Sequence, residues 1–195
     1  MDRHIREAML RYGINTPLRR AHFLAQLDHE SAGFTRTREN LNYAADALVK
    51  LFPRRVTAEL AAKIGRTPSQ PANQEAIANA IYGGEWGAKN LGNTEPGDGA
   101  LFIGRGYIQI TGRANYAACS RDVFGSGVLL RAPQMLESAP NAALSAGWFW
   151  QSRGLNAMAD ADDLERVTRT INGGTNGLDH RRALLAKYKS DLGVA

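Results

Sequence analysis

Nine of the chain's 20 glycines fall between Gly83 and Gly112, while on both sides of that stretch apolar residues recur at helical spacing. Few folds satisfy both constraints. Glycine at this density marks positive φ angles or close backbone approach and argues against a packed helix. The segment also holds Trp86, Phe102 and Tyr107. The expected fold is therefore mainly α, with helices framing a short β-hairpin or extended glycine-rich segment that lines a cleft.

The helical stretches can be read one by one. Ile5, Met9 and Tyr12 lie at i, i+4 and i+7, and Gly13 follows as a stop. Asn15-Thr16-Pro17 opens the next helix with proline in the first turn, where its missing N–H costs nothing. Leu18, Ala21, Leu24, Ala25 and Leu27 form its apolar side, and it carries His29 and Glu30 into its last turn before Gly33. Shorter helices are predicted over 44–52, 57–64 and 73–82, a small helical lobe within one domain spanning 1–195. Further helices are predicted over 114–123, 140–152, 160–171 with Asp160 as N-cap, and 178–192.

Composition excludes several classes. The chain is 44% hydrophobic and 22% charged, which suits a globular protein and not a disordered one. No apolar run nears the ~20 residues that span a bilayer, and the amino end (Asp2, Arg3, His4, Arg6, Glu7) lacks a signal-peptide core. A single cysteine, Cys119, cannot pair internally, and histidines at 4, 22, 29 and 180 make no spaced metal motif. No cofactor is expected. The net charge of +5 favours a polyanionic partner, but the basic residues are spread out and do not interleave with aromatics, which ranks nucleic acid low.

With those tools removed, carboxylates remain. Glu30 lies at a helix C-terminus, where the helix dipole and partial burial both disfavour ionisation, the bias a general acid needs. Along a continuous helix Glu39 would point to the opposite side, about 13 Å further on, so the two acids can cooperate only if the chain turns back, as Gly33 permits. An inverting glycosidase wants its carboxyl groups about 6.5–9.5 Å apart. From spacing alone, two solvated surface acids are the plainer reading. His29-Glu30 fails as a metalloprotease motif because position 33 is glycine. His22 and His29 read as surface or half-buried side chains, and Cys119, in a helical Ala-Ala-Cys-Ser run, reads as a buried thiol and not as a nucleophile with His180.

In Gly104–Gly112 the alternation puts Tyr107, Gln109 and Thr111 on one face against Ile108 and Ile110. Gln109 suits sugar hydroxyl or acetamide groups, Thr111 a water, and Tyr107 a pyranose face. An ordinary half-buried strand is the plainer alternative. The Ser145–Trp150 run reads as core, its small residues allowing close helix approach. Asn172, at a helix end before a tight loop, can present an amide to a cleft, and Arg181 can pair with a site carboxylate.

In order along the chain, His29-Glu30, Glu39, Gly92-Asn93, Gly97-Asp98-Gly99, Phe102 to Arg113, Asn115-Tyr116, Trp148-Phe149-Trp150, Ile171-Asn172-Gly173-Gly174 and Arg181 to Val194 resemble the successive motifs of glycoside hydrolase family 19, in particular its bacteriophage and bacterial endolysin branch. The resemblance covers nearly the whole chain. It implies a lysozyme-like, bilobal helical fold and inverting cleavage of β-1,4 bonds in N-acetylated amino-sugar polymers. Carried over by position, Glu30 is the general acid, Glu39 the general base, and Thr111 holds the attacking water where plant chitinases commonly use serine. Tyr107, Gln109, Asn115 and Asn172 contact sugar, and Arg181 steers the charge state of the acid. Two departures from the plant enzymes stand out. Their second acid lies much farther along the chain, and they usually carry disulfides and often an acid near the position of Asn176.

The function this implies is an endolysin, a monomer acting on peptidoglycan glycan strands, held in the host cytoplasm until released to the wall. Its positive charge would attract the anionic envelope in place of a separate wall-binding domain. The rivals are a chitinase on the same fold, a wall amidase or cysteine peptidase, a lytic transglycosylase that needs one acid only, and a non-catalytic wall-binding module.

Overall fold

The computed structural model describes residues 2–194. In chain order the helices are α1 (Arg3–Arg11), α2 (Pro17–Glu30), α3 (Ala45–Leu51), α4 (Ala58–Ile64), α5 (Gln74–Tyr82), α6 (Gly84–Leu91), α7 (Asp98–Leu101), α8 (Arg113–Phe124), α9 (Val128–Arg131), α10 (Ala139–Ser152), α11 (Leu155–Asp160), α12 (Leu164–Asn172) and α13 (Leu178–Asp191). A 3-10 turn covers Pro133–Glu137. The fold is mainly α, and β pairing among the described residues is confined to isolated bridges.

Local sequence accounts for most helix ends. Thr16 caps α2 by accepting from the Arg19 N–H with Pro17 at the first helical position, Thr57 caps α4, and Asn73 caps α5. Two expectations are corrected. The glycine-rich stretch contains helices after all, α6 and α7. Its glycines are needed where helices meet backbone: a Cβ on Gly87 would lie 1.9 Å from the Tyr82 carbonyl oxygen, and one on Gly99 2.7 Å from that of Ala78. The helix expected over 160–171 begins only at Leu164, as α12, because Asp160 is the last residue of α11. The chain turns at Asp162, whose φ is +53°, and Asp163, not Asp160, caps α12. Asp160 instead makes a two-pronged ion pair with Arg19.

Two hydrophobic cores organise the chain. The larger holds Phe23, Trp150, Tyr116, Phe102 and Leu27 among side chains of α1, α2, α8, α10 and α11. Phe23 meets Trp150 edge-on with ring centroids 5.3 Å apart. The close approach allowed by small residues in α10 is real: at Gly147 a Cβ would sit 2.3 Å from the Tyr12 ring of α1. The smaller core gathers Leu48, Val56, Ala61, Ile64, Ile77 and Ile81 beneath α3, α4 and α5, and extends to Leu41 and Ile103. Those last two residues flank the site, because the chain at Glu39 pairs with the chain at Gly104. A third apolar cluster, Ala21, Ala25, Leu164 and Leu185, seats α13 on α2.

Candidate active site

The candidate residues lie at the end of α2, in the turn after it, in the glycine-rich middle and at the start of α13. Glu30 is the last residue of α2, and the turn that follows runs through three successive left-handed residues, Ala32 (φ +50°), Gly33 (+72°) and Phe34 (+63°). Such conformations are costly for non-glycine residues and persist only where neighbours hold them. Here Ser31 Oγ accepts from the Phe34 N–H and Phe34 packs edge-on against Tyr107. The turn ends α2, so Glu39 does not continue along its axis.

Glu39 is then held at three points. Its backbone N–H donates to the Gly104 carbonyl (2.9 Å), its Oε2 accepts from the Gly104 N–H (3.0 Å), and its Oε1 accepts from the Tyr82 hydroxyl (2.5 Å). Burial, reinforced by the Glu39 charge, raises the Tyr82 phenol far above its ordinary range, so Tyr82 stays a donor. The backbone around Tyr82 is braced in turn. Asn93 Nδ2 donates to the Tyr82 carbonyl, Asn93 Oδ1 accepts from the Arg113 N–H, and Arg113 grips Asp98 with two bonds. A Cβ on Gly104 would lie 2.9 Å from Gln109 Oε1 and 3.3 Å from Glu39 Oε2, so amide and carboxylate face each other across a bare glycine.

Glu30 is held from α13. Its Oε1 accepts from Arg181 Nη2 at 2.5 Å, and no protein donor reaches its Oε2 among the described residues. Arg181 is 1% exposed, far from the solvated arginine common at such positions; its Nη1 donates to Gln26 Oε1 and its Nε to the Asn176 carbonyl (3.4 Å). Gln26 is itself buried and donates to Thr168 Oγ1. The Glu30–Arg181 pair, across 151 positions, is the carboxylate pairing expected for Arg181, whereas the Gln26 contact, across 155, has no signature in the local sequence.

Beside Thr111 lies a cavity of about 330 Å³ lined by Gln109, Thr111, Asn115, Phe149, Arg153 and Ile171, among others. Thr111 Oγ1 donates to the Gln109 carbonyl (3.0 Å), Gln109 Nε2 to the Gly106 carbonyl, and Asn115 Nδ2 to the Thr111 carbonyl. Tyr107 is not on this wall, which corrects the strand-like alternation expected for 107–111. Positive φ at Gly106 and Gln109, and an antiparallel bridge from Arg105 to Ile110, fold the segment into a tight hairpin. The Tyr107 ring is therefore buried against Phe34, with its edge in a separate cavity of about 530 Å³ that it shares with Tyr188 and Leu192. Asn172 spends its amide on its own loop, accepting from the Gly174 N–H and donating to the Asn176 carbonyl.

Other expectations are resolved by burial. Cys119 is fully buried and its thiol is pushed up to about 12, chiefly by burial, which leaves no thiolate nucleophile at neutral pH. His22 is not a surface residue: it is fully buried, with Nε2 2.7 Å from Asp162 Oδ1. Sequence reasoning missed Tyr82, Gln26, Phe149 and Arg153 as site residues. Phe149 falls in the run read as core, and the structure leaves it partly exposed between the buried Trp148 and Trp150.

No family model matches the sequence. A Haemophilus influenzae (strain ATCC 51907 / DSM 11121 / KW20 / Rd) glycosyl hydrolase family 19 domain-containing protein is 41% identical over 182 residues, covering 87% of this chain and 78% of that protein. The chain belongs to glycosyl hydrolase family 19. Among solved structures, chitinase C from Streptomyces griseus HUT6037 superposes with a TM-score of 0.63 at 20% identity, over 98% of this chain and 84% of its own. A class IV chitinase of the family from Zea mays gives 0.61 at 20% identity, over 98% and 79%. At such identity the likeness is one of fold, and the two agree on a mainly helical, family 19 architecture. As a member of the family the protein is a glycoside hydrolase.

Proposed function

We propose that this family 19 hydrolase is an endolysin that cleaves β-1,4 bonds of the peptidoglycan glycan strand with inversion. Glu30 is the general acid, Glu39 the general base, and Thr111 the residue that holds the attacking water. The observation that carries the assignment is the division of labour between the carboxylates. Glu30 keeps Oε2 clear of protein donors, the atom that would deliver a proton to the leaving glycosidic oxygen. Glu39 has one bond to each oxygen, from Tyr82 and Gly104, which aims the carboxylate and leaves a lone pair on each oxygen to take a proton from water. Thr111 gives its hydroxyl proton to the Gln109 carbonyl, so its lone pairs accept from that water. As the C1–O bond breaks, Glu30 loses its proton to the departing sugar, water adds to C1 from the far side, and Glu39 takes the water's proton.

Gln109 and Asn115, with Phe149 and Arg153 beside them, form the sugar-contacting wall. The net charge of +5 supports an anionic wall polymer over neutral chitin. The second reading is a chitinase, favoured by the S. griseus and Z. mays chitinases that share the fold. Mass spectrometry of digested peptidoglycan, run against sugar release from chitin, decides between them. New reducing ends in the wall glycan are expected. Anhydro-sugar ends, free amino groups or release from chitin alone would each reject the endolysin reading. Glu30→Gln is expected to lower kcat by about 100- to 10,000-fold while wall binding persists, and near-normal turnover in that variant would remove Glu30 as the acid.

A further inference from the structure

The two residues at the end of α2 are tied to two successive residues in the first turn of α13. Glu30 pairs with Arg181, and His29 Nδ1 lies 2.8 Å from His180 Nδ1. The ring centroids are 5.1 Å apart, more than 2 Å beyond the nitrogen separation, so the two nitrogens point toward each other. That is an N–H···N hydrogen bond. A shared metal ion would instead need both lone pairs to converge off that line, and no third ligand completes such a set among the described residues. The His29 ring also fills the space above Gly177, where a Cβ would lie 2.3 Å from it, so the ring is lodged against the residue that opens α13.

We infer that His29 and His180 are positioning residues: their hydrogen bond fixes the register of α13 against α2 and thereby sets Arg181 on Glu30. The inference rests on the reading of Glu30 as the acid. A one-residue change in that register would turn Arg181 by about 100° away from α2. The bond also has a defined proton capacity. One imidazole donates from Nδ1 and the other accepts there, so a first added proton can sit on the donor's Nε2 and leave the bond intact. A second must go to the accepting nitrogen, and the bond is lost. The groups facing His29 are Arg181 and His180 from α13, and Glu30 and Asp28 from its own helix. Burial, followed by Arg181, holds the His29 imidazole below its ordinary value, which extends the life of the bond into mild acid.

The test uses the full chain and whichever glycan it turns over. His180→Leu removes the bond, and is expected to lower kcat about tenfold with little change in KM, since only the acid's alignment is disturbed. In His180→Asn the amide can donate to neutral His29 or accept from its protonated form, so kcat is expected within about twofold of wild type and the acidic limb of the pH profile to move lower. Wild-type kcat in the Leu variant, equal losses in the Leu and Asn variants, or an unmoved acidic limb would overturn the clamp. Nitrogen NMR of histidine-labelled protein gives a readout independent of turnover and of how the variants fold. One protonated and one bare Nδ1 with coupling across the bond is expected, and two bare Nδ1 atoms would reject it. Because that signal can be read in Glu30→Gln, failure of the clamp and failure of the acid assignment are separable.

Discussion

Tyr82 does at the residue scale what Glu39 cannot do for itself. A carboxylate proposed to accept a proton from one water molecule has to be oriented, and Glu39 is oriented by a phenol and a backbone N–H on opposite oxygens. In Tyr82→Phe the ring and its packing stay while one charge-assisted bond goes, so kcat is expected to fall about tenfold with the fold retained. Steady-state kinetics beside a thermal melt checks this. An unchanged kcat would mean that Gly104 alone aims the base. None of this was legible beforehand. Tyr82 looked like the last residue of a helix before Gly83-Gly84, and its link to Glu39 spans 43 positions. The candidates Gln109, Thr111 and Asn115 were legible because they lie within seven residues and one wall needs only local geometry. Tyr107 was misread because period-2 alternation holds only while φ stays extended, and Gly106 and Gln109 both turn left-handed.

Elements were the most readable level. α1, α2, α5, α8, α10 and α13 begin and end near where periodicity, proline and glycine put them, since these signals act within a turn or two of helix. Elements of one turn or two, such as α7, α9 and α11, carry too few apolar repeats to stand out. What the pattern suggested for α10, close packing through small residues, rests on Gly147 under the Tyr12 ring. Gly147→Val would force α1 and α10 apart and is expected to cost about 1–3 kcal/mol, or more if Tyr12 cannot shift. Chemical denaturation measures it, and a stability equal to wild type would show that the contact has slack.

Across the whole molecule, α2, the turn at 161–163 and α13 are joined by one polar cluster, the buried His22 with the more exposed Asp162 and Lys189. Burial, partly offset by Asp162, keeps the His22 imidazole below its ordinary value. Against the upward push of burial, bonds from Lys189 and His22 hold the Asp162 carboxyl below its own. Both shifts act in one direction. In acid the unfolded chain binds protons that the native protein resists, so His22 withdraws stability as pH falls below about 6.5, and Asp162 adds to the loss as pH falls below its ordinary range near 4. Melting temperatures measured from pH 8 to pH 3 should decline from about pH 6.5 downward. His22→Gln should flatten the first part of that decline, and an identical slope in the variant would remove His22 from the account.

The amino-acid sequence by itself determined a helical chain with a glycine-rich interruption and a family, because helix periodicity, caps and motif order are all written within a few residues of one another. Tertiary structure decided which side chains meet. Glu30 with Arg181, Glu39 with Tyr82 and His29 with His180 are contacts across 43 to 151 positions. Each depends on how α13 seats on α2, or on how the turn at 32–34 and the hairpin at 105–110 bend the chain. Those placements follow from the packing of three apolar clusters at once, and no local pattern encodes them.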